Sequence, residues 1–207
     1  MPSPIFIEHR INSIAALAGV HKDHGVEIDL RSDVGNIGKL HLSHDPWIRG
    51  DDFDDWLREY VGLGIKGPLI LNTKEDGLEQ AVLDRMELAT IRNFFFLDTA
   101  LPTLVKWSLK MRRDCFALRL SQHEPAAPLD SFKGRAKWVW VDCFDGVPLT
   151  ADILRNISND FKLCIVSPEL QQRPIDEVAK FSALLPFASA VCTKDHRVWE
   201  TLAKTKT

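Results

Sequence analysis

The sequence lacks the features of several large protein classes. None of its apolar runs approaches the roughly 20 residues needed to cross a bilayer. Its start, MPSPIFIEHR, has neither the basic nor the apolar segment of a secretory signal. With 26 Lys and Arg against 29 Asp and Glu, the net charge is −3, so there is no basic field for nucleic acid. We therefore expect a cytoplasmic protein that neither inserts into membranes nor binds nucleic acid.

Cysteine is scarce, and its spacing does not fit a zinc site. The four cysteines lie far apart, each in or beside an apolar run: Cys115, Cys143, Cys164 and Cys192. We expect reduced core thiols rather than disulfides. Internal repeats and low-complexity segments are also missing, and only the tail from Lys204 to Thr207 is expected to be disordered. With 207 residues, 45% of them hydrophobic, the chain suits a single domain over residues 1–207.

Eight short apolar runs recur along the chain, and helical patterns lie between most of them. The runs are apolar on both faces, as strands of a covered parallel sheet are. They are residues 5–7, 26–30, 69–71, 94–97, 116–118, 138–141, 163–166 and 190–192. The helical patterns cover residues 12–24, 52–62, 78–90, 102–110, 151–160, 175–185 and 197–204.

This alternation predicts a compact α/β fold, a (β/α)8 TIM barrel. An open doubly wound sheet is the alternative. The weakest repeat is Ser121 to Arg135, where two prolines and a glycine predict a loop with at most a short helix. In a barrel of this kind the active site lies at the carboxyl ends of the strands, so the residues that follow each run are candidates for chemistry.

The stretch GVEIDLRSDVGNIGKLHLSHD, residues 25–45, contains the most informative pattern. Glu27 and Asp29 alternate with apolar residues, so one face of a strand carries two carboxylates. Such neighbours repel each other unless a cation compensates. A hard divalent ion such as Mg²⁺ or Ca²⁺ prefers oxygen ligands and would do so. The alternative is an edge strand with a solvated face. The chain then turns back as a hairpin that ends at His44.

Imidazoles and cations accompany the two carboxylates. His9 follows the first strand and His44 ends the hairpin, which favours a general acid and base. Arg10 and Lys74 add positive charge, and a metal with two such cations suggests a phosphate substrate. For each cation, a simple ion pair is the alternative. Asn72 ends the third strand and is a candidate metal ligand. Four further polar residues that follow strands are candidates for the rim of the site: Asp98, Arg119, Asp142 and Glu169.

The remaining histidines are assigned more weakly. His21 and His24 belong to the end of the first helical pattern and are expected at the surface. His123 and His196 fall in loops at the active face, where they are candidates for the rim.

In this order, these residues resemble the glycerophosphodiester phosphodiesterase family, within the phospholipase C-like phosphodiesterases. The family's His-Arg pair with a following Asn corresponds to His9-Arg10 and Asn12, its Glu-x-Asp to Glu27-Ile28-Asp29, and its His-Asp-Pro to His44-Asp45-Pro46. The detailed match covers residues 4–74. The resemblance implies a TIM barrel that hydrolyses a small phosphodiester with a divalent metal.

The resemblance also implies individual roles. His9 and His44 would be the acid/base pair, Glu27 and Asp29 metal ligands, and Arg10 a phosphate ligand. The family's Glu-x-Lys at the third strand reads Asn72-Thr73-Lys74 here, so an uncharged amide replaces a third acidic ligand and the metal should bind more weakly. A phosphodiester lyase or transferase, or a non-catalytic relative that binds a phosphorylated ligand, is the alternative function.

Overall fold

Nine strands and six α-helices alternate in the computed structural model, which describes residues 3–111, 114–124 and 126–204. The strands are β1 (Ile5–Glu8), β2 (Gly25–Ser32), β3 (Leu40–Leu42), β4 (Leu69–Thr73), β5 (Phe94–Leu97), β6 (Ala117–Leu120), β7 (Trp138–Val141), β8 (Lys162–Val166) and β9 (Ala188–Thr193). The α-helices are α1 (Ile14–Leu17), α2 (Phe53–Leu63), α3 (Glu79–Leu88), α4 (Leu101–Val105), α5 (Ala151–Ile157) and α6 (His196–Lys204).

Eight of these strands form a parallel barrel. Their order is β5-β4-β2-β1-β9-β8-β7-β6, and β3 pairs antiparallel with β2 as the predicted hairpin. The two ends of this order meet at a parallel bridge between Phe96 and Phe116, where the Phe96 amide donates to the Cys115 carbonyl at 2.8 Å. The predicted (β/α)8 barrel is therefore confirmed, and the open doubly wound sheet is wrong because β5 and β6 are neighbours.

The helical connections differ in detail from the prediction. The pattern from Asn12 to His24 yields only the single turn α1, because the chain turns at Gly19, whose amide donates to the carbonyl of Ala16, and turns again at His24 before β2 begins. Residues 175–187 form a 3₁₀ helix rather than an α-helix. Within its described residues, the weak repeat holds only a short 3₁₀ helix, Ala127–Phe132, as predicted. Residues 205–207 of the predicted tail, and Pro125, lie outside the described residues.

Helix α2 anchors the loop that carries the first polar motif. The Asp52 carboxylate caps the helix by accepting from the amides of Asp54 and Asp55. Trp56 lies on its buried face and donates from Nε1 to the carbonyl of Ile11 at 3.0 Å. This bond fixes the segment just after β1.

Among the described helices, none has the length and apolar character needed to cross a bilayer.

An apolar plug fills the lower part of the barrel. Its buried members point inward from alternate strand positions: Ile7, Ile70, Phe95, Leu97, Ala117, Trp138, Trp140, Cys164, Val166, Ala190 and Cys192. Phe95 and Trp138 stack with their ring centroids 4.8 Å apart. None of the four cysteines, all of which lie in the described residues, takes part in a disulfide, as predicted. Glu27 and Asn72 are the register partners of the plug residues Ile70 and Leu97, so the inward polar side chains lie directly against this apolar interior.

Phe95→Ala should destabilise the protein by about 3–5 kcal/mol, because it removes a fully buried ring and leaves a cavity in the plug. Urea unfolding followed by circular dichroism measures this. Leu88→Ala is the control: Leu88 is a large apolar residue of α3 but is exposed, and its loss should leave the midpoint nearly unchanged. Equal midpoints for the two variants would contradict a packed barrel interior.

Candidate active site

Strand β2 sends two carboxylates into the barrel above the apolar plug. Val26, Ile28 and Leu30 pack outward against the helices, while Glu27 and Asp29 point inward and are 1% and 0% exposed. Strand β2 lies between β1 and β4. The alternative of a solvated edge strand is therefore wrong, and the carboxylate pair, Glu27 and Asp29, needs compensation from within the protein or from a bound cation.

Donors from three neighbouring segments surround Glu27. The backbone amide of Arg10 donates to Oε2 at 2.8 Å, and the side-chain amide of Asn72 donates to Oε1 at 3.1 Å. The Nε2 atom of His9 lies 3.7 Å from Oε2. Burial, and then the charge of Asp29, nevertheless raises the pKa of Glu27 to about 7. The two hydrogen bonds therefore do not offset the loss of water.

Asp29 receives two cations. The Lys74 ammonium lies 2.9 Å from Oδ1, and the Arg10 Nε lies 3.8 Å from Oδ2. Asn12 clamps the same residue, donating from Nδ2 to Oδ2 at 2.7 Å and accepting from the Asp29 amide at 2.9 Å. The ion pairs considered for Arg10 and Lys74 thus do form. Both cations remain beside the carboxylate pair, where an anionic ligand could also meet them.

Of the four buried side-chain oxygens that have no hydrogen-bond partner within the described residues, two belong to this cluster. They are Oδ1 of Asp29, which meets Lys74 as an ion pair without hydrogen-bond geometry, and Oδ1 of Asn72. Buried acceptors of this kind are normally satisfied. Together with Glu27 they offer three oxygen-bearing side chains, the donor type that Mg²⁺ and Ca²⁺ prefer. These residues fit a hard divalent cation.

The two candidate catalytic histidines occupy different environments. His9 is largely buried, and burial, followed by the charge of Arg10, lowers its pKa to about 3. The His44 side chain is 42% exposed, and its Nδ1 lies 3.0 Å from the Asp45 carboxylate. Among the described residues, His44 makes no hydrogen bond or ion pair with Glu27. The hydrogen bond to His44 lowers the pKa of Asp45 most, and the charge of Arg10 lowers it further. Arg10 therefore lies near the pair formed by His44 and Asp45, and His44 lies at the rim of the cluster.

The predicted rim residues form a second cluster across the carboxyl face. Arg119 on β6 pairs with both Asp98 and Asp142. Gln171 donates to Oδ1 of Asp142 at 2.6 Å, and burial raises the pKa of Asp142 to about 6. Because Arg119 already holds Asp98, Asp98 does not contact the carboxylate pair in the described chain. Its place at the rim of the active site stays a prediction.

Glu169 organises the exit of the last strand. It accepts from the hydroxyl of Thr193 at 2.6 Å and from the amide of Lys194 at 3.0 Å. The charge of Lys194 contributes to the low pKa of His9. Glu169 therefore holds the loop that follows β9. Through this loop it fixes Lys194, whose charge acts on His9.

Sequence reasoning missed three participants. Asn12, noted only as part of a motif, clamps Asp29. Its position two residues after Arg10 was the available signal. Gln171 reaches the site from a loop whose path depends on the barrel, and no local pattern marks it. Lys194 directly follows β9, and this position at a strand end was the available signal.

Backbone strain coincides with the site. Of four described non-glycine residues with positive φ, two follow barrel strands at the carboxyl face: Arg10 at 56° and Asp98 at 59°. Left-handed backbone is unfavourable for side chains other than glycine and clusters at functional sites. At Arg10 this conformation points the amide at Glu27.

A cavity of about 430 Å³ opens beside the second cluster. Its walls are mainly apolar, and Asp98 and Arg119 form part of its lining. The apolar lining includes Leu101, Leu104, Leu118, Leu129 and Phe132. This recess lies at the β5–β6 seam rather than over the carboxylate pair.

Two histidine predictions are wrong. His24 was expected at the surface but is 7% exposed, because the chain reaches β2 without the predicted long helix and packs this ring against Phe6. His196 was expected at the rim, but it opens α6 outside the barrel, beside the His24 ring.

Comparisons with known proteins identify the fold. No protein-family model and no curated protein sequence matches the chain. Several solved structures do. A Galdieria sulphuraria protein assigned to the glycerophosphodiester phosphodiesterases superimposes with a TM-score of 0.74 at 14% identity, covering 97% of this chain and 98% of that one.

Two further structures agree. A glycerophosphodiester phosphodiesterase of Agrobacterium tumefaciens gives a TM-score of 0.65 at 13% identity, with 96% and 99% coverage. An Oleispira antarctica phosphodiesterase, solved with its product sn-glycerol-3-phosphate, gives 0.63 at 13% identity, with 97% of both chains covered. At such identities the likeness establishes a shared barrel over the whole length. The fold implied by the sequence resemblance is confirmed.

Lys74→Met should destabilise the metal-free protein by about 3 kcal/mol or more, because it leaves the buried charge of Asp29 with only the more distant Arg10. Denaturant unfolding in the presence of a chelator measures this. Lys66→Met is the control, since Lys66 pairs with Asp23 at the exposed surface and should leave the midpoint unchanged. An unaltered midpoint for Lys74→Met would mean that Asp29 does not depend on this cation.

Proposed function

We propose that the protein is a metal-dependent phosphoric diester hydrolase acting on a small glycerophosphodiester-like substrate. The observation that supports the proposal is the buried carboxylate pair at the carboxyl face of the barrel. The imidazole of His9, the cations of Arg10 and Lys74, and the side-chain carbonyl oxygen of Asn72 surround it. The structural neighbours include an enzyme solved with sn-glycerol-3-phosphate as its product, which supports the same substrate class. The free thiols agree with a cytoplasmic location.

Arg10 and Lys74 would hold the phosphate. Both already lie against Asp29, at 3.8 and 2.9 Å, so a phosphoryl group placed above the pair meets two positive charges. An Arg can bind phosphate with two parallel hydrogen bonds, whereas a Lys acts as a point charge. The left-handed backbone of Arg10 sets the position of its guanidinium.

His9 and His44 would move the protons. One imidazole takes a proton from the attacking water or substrate hydroxyl, and the other gives a proton to the leaving alkoxide. Each has a carboxylate beside one ring nitrogen, Glu27 for His9 and Asp45 for His44. For His44 that contact orients the ring and leaves Nε2 for the transfer, whereas for His9 the nitrogen beside Glu27 is Nε2 and Nδ1 is buried without a partner.

Glu27, Asp29 and Asn72 would hold the divalent cation, Mg²⁺ or Ca²⁺. When bound, such an ion neutralises charge on the phosphoryl oxygens. The site as it stands predicts weak binding, because Lys74 competes for Asp29 and the Asn72 amide donates to Glu27. Metal binding requires Asn72 to turn its carbonyl oxygen towards the ion instead.

Two alternatives follow from the same residues. A lyase or transferase would use the histidines to release a cyclic phosphate, and phosphorus NMR of the products separates it from a hydrolase. A non-catalytic phospho-ligand-binding protein is favoured by one observation: Asn72 stands where a third carboxylate would strengthen the metal site. Calorimetric titration with metal, with and without a generic phosphodiester, would reveal binding without turnover.

His44→Ala should lower kcat/KM for a generic phosphodiester at least about a hundredfold, the usual contribution of an acid/base group, while the melting temperature stays the same. The residue is exposed at the rim, so its loss leaves no cavity in the core. His21→Ala, another exposed histidine, is the matched control. Turnover of His44→Ala within about threefold of wild type would exclude the proposed role, since even a weak acid/base group contributes more.

Asn72→Glu should raise Mg²⁺ or Ca²⁺ affinity at least about tenfold. A third carboxylate adds a charge at contact distance, which is worth more than roughly 1 kcal/mol even in water, and 1.4 kcal/mol is a factor of ten. Without metal, the same variant should be less stable than wild type, because the new charge lies against Glu27. Calorimetry and thermal melting test the two effects. Equal or weaker metal binding would show that Asn72 is not a ligand.

A further inference from the structure

A second group of metal-binding atoms lies outside the barrel. His24 immediately precedes β2, and His196 and Glu200 belong to α6. The ligand atoms of these three residues lie within 4.8 Å of one another. We call them the outer histidine cluster. It is separate from the carboxylate pair, because its neighbours Phe6 and Glu8 alternate along β1 with the inward-facing Ile7.

The fold fixes both parts of this cluster. His196 and Glu200 are four residues apart on α6, so their side chains share one face of the helix. The fully buried Trp199 orients that helix by donating from Nε1 to Ser167 Oγ at 2.7 Å. His24 is held opposite, its ring centroid 4.6 Å from that of His196, with the ring planes at 68°.

Glu8 supports His24 in the manner of an outer carboxylate in metal sites. Its Oε1 lies 3.0 Å from Nδ1 of His24 and also accepts from the amide of His21 at 3.1 Å. A hydrogen bond at Nδ1 places the proton there and leaves Nε2 as the lone-pair nitrogen. Histidines that bind metals commonly use such a carboxylate to fix tautomer and orientation.

Glu200 and His196 have no polar partner of their own. Within the described residues, neither side chain forms a hydrogen bond or an ion pair, although both are only partly exposed. In the described part of the chain, the aromatic contacts of the His196 ring are with Phe6 and His24. A partly buried carboxylate that faces two imidazoles without a donor is an unusual arrangement for structural side chains. Glu8 and Glu200 together carry the two negative charges that would balance a divalent cation.

We propose that His24, His196 and Glu200 bind a divalent transition-metal ion of the Zn²⁺ class. Two imidazoles and one carboxylate suit Zn²⁺, Co²⁺ or Ni²⁺, whereas Mg²⁺ and Ca²⁺ favour oxygen alone. Bonds of about 2.1 Å in a tetrahedral site place ligand atoms about 3.4 Å apart. The present separations are at most 4.8 Å, and rotations of the His196 and Glu200 side chains, both on α6, would shorten them to that spacing.

The bound ion would fasten the end of the chain to its beginning. His24 adjoins β2, and Glu8 belongs to β1, while α6 follows β9, the strand that pairs with β1. One ion therefore links the last helix to the first two strands. It acts as a structural clamp rather than as part of the reaction.

The test uses Co²⁺ as a spectroscopic probe with the full chain, purified without a polyhistidine tag and stripped of metal. Excess Mg²⁺ is included to occupy the carboxylate pair. Co²⁺ should give a visible d–d absorption band at one equivalent. It should also raise the melting temperature by roughly 5 to 10 °C at about a hundredfold excess over its Kd. His196→Ala and Glu200→Ala should each lose the band and the shift.

Two further variants make the result specific. His123→Ala, an exposed loop histidine, should keep the band, and so should Asp29→Asn, which disables the carboxylate pair. His196→Ala and Glu200→Ala replace partly exposed side chains, so their metal-free melting temperatures should match wild type. The proposal is overturned if wild type gives no band, if His196→Ala keeps it, or if Asp29→Asn loses it.

Discussion

The burial of two carboxylates on one strand is the constraint on which the rest of the site depends. Glu27 and Asp29 point into a barrel whose floor is apolar, and neither has access to bulk water. Two such charges are tolerated only with compensation. Lys74, Arg10 and Asn72 supply part of it, and the raised pKa of Glu27 shows that it is incomplete. A divalent cation would supply the remainder.

The barrel turns this local problem into a site. Parallel strands bring their carboxyl ends to one face, so residues distant in sequence become neighbours. Asp29 and Asn72 are register partners on β2 and β4, and Trp56 of α2 ties down the loop that presents Arg10. The strained backbone of Arg10 then aims its amide at Glu27. The barrel fold therefore places the compensating groups, Arg10 and Asn72, next to the buried carboxylates that need them.

Much of this could be predicted from the sequence, for physical reasons. Alternation along β2 revealed the direction of Glu27 and Asp29, because strand periodicity is a local property. The extent of the first helix could not be read, since its apolar spacing does not show that the chain turns at Gly19 and again at His24. The position of His24 was lost with it. Gln171 was invisible for another reason: its contact with Asp142 exists only once the barrel has closed.

The most direct test of the account is a crystal structure of the protein soaked in Mn²⁺, a hard ion with an anomalous signal. The account predicts an anomalous peak bound by the oxygens of Glu27, Asp29 and Asn72, with the Lys74 ammonium moved away from Asp29. A structure at saturating Mn²⁺ that retains the Lys74–Asp29 ion pair, with no peak between these oxygens, would contradict it.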